Sequence, residues 1–246
     1  MNPAPNYKNP PVVEALCELF FEPRAWDDTV PGAFYGRIQE QFTIKEQLIG
    51  SEAAINLGPG QETTVGVRPL PPRMRFFTPT RDRLIQLGPN LLVVNKLQPY
   101  TSFEDWVGTL EQALTHYQEV VPGASVTRVG VRYLNRIAVP GDRVELQDYF
   151  RVIPVLPESL GKDHGAFLLR LELLVPERDH SLLLSFATSP QEQPGNMTFL
   201  LDFYDAWKPG LPQPVDQVIA HVRLAHEHIQ AAFERNITDE LRLLFQ

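Results

Sequence analysis

Apolar and polar residues alternate from Val12 to Phe21, with Val13, Ala15, Cys17, Leu19 and Phe21 on one side of the chain and Glu14, Leu16, Glu18 and Phe20 on the other. A period of two predicts a strand buried on one face, and Pro23 ends it. From Val30 to Gln47 the spacing changes to four. Phe34, Ile38 and Phe42 fall on one stripe and Pro31 sits at a first-turn position, which predicts a helix. Five short runs follow, at 53–57, 63–68, 73–78, 84–87 and 91–96, separated by turn sequences such as Gly58-Pro-Gly60 and Gly88-Pro-Asn90. They lie too close together for crossover helices, so an antiparallel meander is expected. Ser102 then suits an N-cap, ahead of a helix with Trp106, Leu110, Leu114 and Tyr117 on its apolar side.

The order repeats after Pro122-Gly123. Residues 126–139 predict a long strand and 144–150 a short helical piece. Strands are expected at 166–175, 181–188 and 197–207, before a final helix from Pro214 or Val215 that packs through Val218, Val222, Ile229 and Phe233. Thr238 suits an N-cap for a short terminal helix. The expected class is α+β: one compact domain over 1–246, built from two β-α-β(3-4)-α pseudo-repeats at 12–122 and 124–246. Joined edge to edge, these form one long curved antiparallel sheet with helices on one face, in the manner of TATA-binding-protein-like or helix-grip folds.

Within the long strand, Arg128, Arg132 and Arg136 share one face while Val129, Val131, Tyr133 and Ile137 occupy the other. The three guanidinium groups line up along about 27 Å. Glu14, Glu18, Arg170, Glu172 and Asp202 are expected on the same open face. Two readings follow: a ladder of opposite charges that neutralise one another across strands, or a groove that receives an acidic peptide or a phosphate-bearing ligand. The binding residues proposed for that groove are Arg128, Arg132, Arg136, Arg170, Glu14 and Glu18.

Composition narrows the classes. The net charge is −8, which opposes sequence-independent nucleic-acid binding. Five lysines stand against seventeen arginines, a bias that G+C-rich codon usage accounts for first, with a use for arginine's planar pairing with carboxylate or phosphate as the alternative. The single cysteine, Cys17, excludes an internal disulfide and a cysteine-based zinc site. No apolar run approaches a membrane span, and Met1 to Lys8 lacks the apolar region of a signal peptide, so a cytoplasmic location without membrane contact is expected.

Candidate chemistry is sparse. Arg73, Arg75, Arg81 and Arg83 flank Phe76 and Phe77, superficially like a single-strand nucleic-acid platform that would need exposed rings. His221, His226 and His228 are spaced by five and two, whereas a zinc pair on one helical face needs four. No Gly-rich phosphate loop, serine elbow or kinase signature occurs. No cofactor or metal and no catalytic residue is therefore expected.

Asn9-Pro-Pro-Val-Val-Glu14, Gly130-Val-Arg-Tyr-Leu-Asn-Arg-Ile137 and Phe233-Glu-Arg-Asn-Ile-Thr238 together make the chain resemble a sporadically distributed, uncharacterised bacterial protein family. The resemblance spans the chain and brings no activity or catalytic residue with it. It implies a stand-alone module with the scattered occurrence of defence and other accessory genes. The reading that results is a non-enzymatic binding or adaptor module whose charged face meets an acidic peptide, a protein partner or a second copy of itself. A small-ligand sensor or enzyme with a pocket between sheet and helices is the alternative, with a small anionic ligand in view. A nucleic-acid-facing defence component is third.

Overall fold

Alternation in the sequence becomes a sheet that is apolar on one side. The computed structural model describes residues 7–49, 51–56, 64–69, 72–157, 159, 165–175, 180–191, 194–209 and 213–246. Strand β1 (Val12–Phe21) buries Ala15, Cys17, Leu19 and Phe21 completely or nearly so. Helix α1 (Val30–Ile38) follows, with Phe34 and Ile38 buried. It is shorter than the expected 30–47. The chain turns after Ile38, Phe42 still packs into the core, and Ile44–Leu48 forms strand β2. Pairing with a strand some thirty residues away supplies β2 with a hydrogen-bonded ladder, and that tertiary contact overrides the local helical spacing.

Strands β3 (Ser51–Asn56) and β4 (Thr64–Pro69) pair with each other in a two-stranded sheet. The expected Gly58-Pro-Gly60 turn lies outside the described residues. Strands β5 (Arg73–Phe77), β6 (Arg83–Gly88) and β7 (Leu91–Leu97) make the meander. Helix α2 (Phe103–Val120) begins where expected: the Ser102 hydroxyl accepts from the Asp105 amide at 3.2 Å.

The second half comprises β8 (Val126–Pro140), α3 (Leu146–Tyr149), β9 (Leu168–Val175), β10 (His180–Ser189), β11 (Asn196–Trp207), α4 (Val215–Asn236) and α5 (Asp239–Leu243). The Thr238 hydroxyl caps α5 by accepting from the Leu241 amide at 3.3 Å.

Nine strands form one antiparallel sheet in the order β2-β5-β6-β7-β1-β8-β11-β10-β9. Strand β8 is interior, paired to β1 and β11, and Val129, Val131 and Ile137 are at most 1 % exposed. Helix α2 packs on β7 and helix α4 on β8 and β11, the latter helix burying Val218, Val222, Ile229 and Phe233. Each such side chain withdrawn from water contributes about 1.5–3 kcal/mol. Among the described residues, no helix is long and apolar enough to cross a membrane.

One glycine is required by close approach. A Cβ on Gly130 of β8 would lie 2.2 Å from the hydroxyl of Tyr204, which crosses over it from β11 to reach Glu18 on β1. Gly130→Ala is expected to displace that ring, break the Tyr204–Glu18 bond and cost about 1–3 kcal/mol. Urea unfolding checks this: the midpoint should fall with an unchanged slope, and an unchanged midpoint would contradict the packing described.

Candidate functional site

Register across the sheet places the residues read as a groove. Glu14 and Glu18 on β1, Arg128, Arg132 and Arg136 on β8, Asp202 on β11 and Arg170 on β9 share the face away from α2 and α4. Among the described residues, a charge pair forms on this face, and other charged groups meet neutral partners. Arg132 donates Nε and Nη2 to the two carboxylate oxygens of Asp202, both at 2.8 Å. Glu14 accepts from Asn95 Nδ2 at 2.6 Å, and Glu18 from the Tyr204 hydroxyl at 3.1 Å. The Arg128 guanidinium lies 3.7 Å over the Phe20 ring, a cation–π contact between adjacent strands. Arg136 also has an interaction within the protein.

The second basic cluster is likewise committed. Arg81 pairs with Glu46 at 2.6 Å and Arg75 with the same carboxylate at 3.7 Å, while Arg83 pairs with Asp105. Phe76 and Phe77 are 1 % and 3 % exposed, so neither ring is open to a stacked base.

On the helix side, three stretches distant in sequence enclose a cavity of about 400 Å³. Its walls come from the extended N-terminal segment (Tyr7 to Val12), the turn from Tyr100 to Phe103 leading into α2, and one flank of α4 including His226, Ile229 and Phe233. Tyr133 and Asn135 of β8 form the floor.

Each wall has its own anchor. Buried Lys96 of β7 bonds Asp82 at 2.6 Å and lies 3.7 Å from Asp105, which also meets Arg83, so the first turn of α2 is fastened to the sheet beneath it. The carboxylate of Glu104 at the start of α2 takes a bidentate contact from Arg223 of α4, at 2.6 and 2.9 Å. The N-terminal wall is pinned to the other end of the chain: Tyr7 donates to Glu234 at 2.7 Å, and the Asn9 amide to the Phe245 carbonyl at 3.0 Å.

Inside the cavity runs a hydrogen-bonded chain. The Tyr100 and Tyr133 hydroxyls are 3.2 Å apart, and the Tyr133 hydroxyl is 2.8 Å from Nδ1 of His226. Phe103 stacks on His226 with centroids 4.0 Å apart and planes 7° from parallel. Burial lowers the His226 pKa to about 4, against a smaller opposite pull from Glu104. It pushes the Tyr100 phenol up to about 12 and raises Tyr133 well above its ordinary value. At neutral pH the chain is therefore two protonated phenols and a neutral imidazole, uncharged and rich in donors and acceptors.

The sequence places Tyr133 on the apolar face of its strand, and the structure brings it together with Tyr100 and His226. Their spacing along the chain carries no motif. The signal available was a polar-tipped aromatic on the buried face of the central strand, since such a group needs a buried partner. No family model matches the chain, and no curated protein matches it.

Proposed function

We propose that this protein is a binding module for a small, uncharged, largely apolar molecule held between the sheet and α4. The observation that carries this reading is the Tyr100–Tyr133–His226 chain lining a cavity of about 400 Å³, a volume in the range that encloses small ligands. Phe103, Ile229 and Phe233 supply apolar contact, and the phenols and imidazole supply a few placed hydrogen bonds. The committed state of Arg132 and Glu14 on the other face favours the pocket over the open face as the place where a ligand is received.

The strand order supports reading the two halves, 12–122 and 124–246, as copies of one unit within a single domain. In the first, β1 is followed outward by β7, β6 and β5; in the second, β8 is followed by β11, β10 and β9. The copies meet along β1 and β8, as in TATA-binding-protein-like and helix-grip folds.

A second reading concerns the partner, and one observation favours it. Strand β9 ends the sheet, and Leu168, Leu171, Leu173 and Leu174 on it are 40–71 % exposed. Its sequence, Leu-Leu-Arg-Leu-Glu-Leu-Leu from 168 to 174, reads the same in both directions except that Arg170 mirrors Glu172. Antiparallel pairing of two such strands about a two-fold axis at Leu171 sets Arg170 opposite Glu172 of the other copy and Leu168 opposite Leu174. The partner is therefore a second copy of this chain, joined edge to edge.

Both readings have direct tests. For the pocket, saturation-transfer NMR with phenol, indole and benzamide should detect binding to the whole protein. Tyr133→Phe should weaken it about three- to tenfold, and Gln230→Trp, which fills the mouth, should abolish it. If none of the probes binds, or if both variants bind as the natural protein does, the pocket reading fails. For the dimer, sedimentation should show reversible self-association that Glu172→Lys removes and that Arg170→Glu combined with Glu172→Lys restores. A protein monomeric at every concentration, or indifferent to charge reversal, contradicts it.

A further inference from the structure

Asp205 is on the helix side of β11, facing Leu182 of β10 and Val131 of β8 in register, and is 3 % exposed. A carboxylate removed from water to that extent needs a counter-charge or a coordinated ion. Among the described residues, no lysine or arginine forms an ion pair with it. Three histidines converge on it instead. His180 Nδ1 is 3.2 Å and His221 Nε2 3.9 Å from Asp205 Oδ1, and His228 Nδ1 is 3.8 Å from Oδ2.

The fold explains the convergence. His180 opens β10, opposite Trp207 and two residues from the partner of Asp205. His221 and His228, seven residues apart, project from the same side of α4 on successive pairs of turns. The His221 ring is clamped by Trp207, with centroids 4.1 Å apart and planes 20° from parallel, and lies 4.7 Å from the ring of His180.

Nε2 of His221 is the informative atom. The residue is 7 % exposed, the atom is buried, and it has no hydrogen-bond partner among the described residues. A buried ring nitrogen left in this way is unfavourable unless something else satisfies it. One donor atom each from His180, Asp205 and His221 lies within 4.8 Å of the others.

We propose that His180, Asp205, His221 and His228 bind a divalent transition-metal ion of the zinc class. Tetrahedral nitrogen and oxygen ligands about 2.0–2.2 Å from zinc stand about 3.3 Å apart, close to the His180–Asp205 distance already present, while His221 and His228 approach the same carboxylate to 3.9 and 3.8 Å. The ligand set is chemically right for that ion: three imidazoles and one carboxylate, with the anion reducing the ion's charge inside the protein. His228, with a side chain 36 % exposed, sits on the solvent side, where an ion enters. Bound there, the metal ties the middle of α4 to β10 and β11. The pocket residue His226 takes no part, since it points to Phe103 and Tyr133 instead.

The spacing of histidines along α4 argued against a metal because the helix alone is not the site. Two of its four ligands come from strands.

The test is titration of chelator-stripped, full-length protein with cobalt(II), followed by zinc. One equivalent of cobalt should give the intense visible d–d absorption of a four- or five-coordinate ion, and one equivalent of zinc should displace it. Zinc should also raise the melting temperature. Asp205→Asn should weaken binding on the order of a hundredfold and His228→Gln about tenfold, with the zinc-induced rise in melting temperature lost in Asp205→Asn. The exposed position of His228 makes its variant informative even if Asp205→Asn does not fold. Absence of d–d absorption in the natural protein overturns the proposal, as does unchanged affinity in a folded His228→Gln or Asp205→Asn.

Discussion

Antiparallel pairing of β1 with β8 sets Cys17 opposite Val131, Leu16 opposite Arg132 and Ala15 opposite Tyr133. Every later assignment of faces follows from that register. A slip of one residue would send Arg132 into the core and Tyr133 into water. It is resisted on both sides at once: Val129, Val131 and Cys17 are fully buried beneath the helices, while Tyr204 fits over Gly130 to reach Glu18 on the open side. Because β1 and β8 lie in the middle of nine strands, the seam also fixes where the two halves meet and hence where α2 faces α4.

The two sides of the sheet use polar residues differently. On the open side, Arg132 is met by Asp202 on the neighbouring strand, and a half-exposed pair of this kind adds modestly to stability. On the helix side, Lys96, Tyr133, Asp205 and His221 are buried, and buried polar groups must be satisfied. Lys96 is satisfied by Asp82 and Asp105, which steadies the start of α2. Tyr133 is satisfied by Tyr100 and His226, which bridges the strand to both helices. Beside Asp205, His221 Nε2 is buried without a hydrogen-bond partner among the described residues, and that is what points to an ion.

Much of this could be read from the chain. Strict alternation in 12–21 and 126–139 gave strands with the right faces, and Ser102 and Thr238 marked helix starts because their hydroxyls bond the amides three residues on. The segment after Ile38 was misread since Phe34, Ile38 and Phe42 recur at a helical spacing and five residues of strand carry too little alternation to oppose it. The arginine row was visible as alternation, but its commitment to Asp202 depends on a strand seventy residues later. Neither the pocket nor the histidine cluster has a sequence signature. Tyr100, Tyr133 and His226, like His180, Asp205 and His221, come together only through the sheet order and the angle at which α4 crosses it.

Arg132 of the open face is held by Asp202, and we propose that a ligand is received on the helix side instead. A double-mutant cycle on Arg132 and Asp202, with Arg132→Ala, Asp202→Ala and the pair measured by urea unfolding, tests it most directly. The expected result is a coupling of about 1 kcal/mol, with each single variant less stable than the natural protein. Coupling near zero, together with an Arg132→Ala variant of unchanged stability that has lost binding to an acidic peptide, would contradict it.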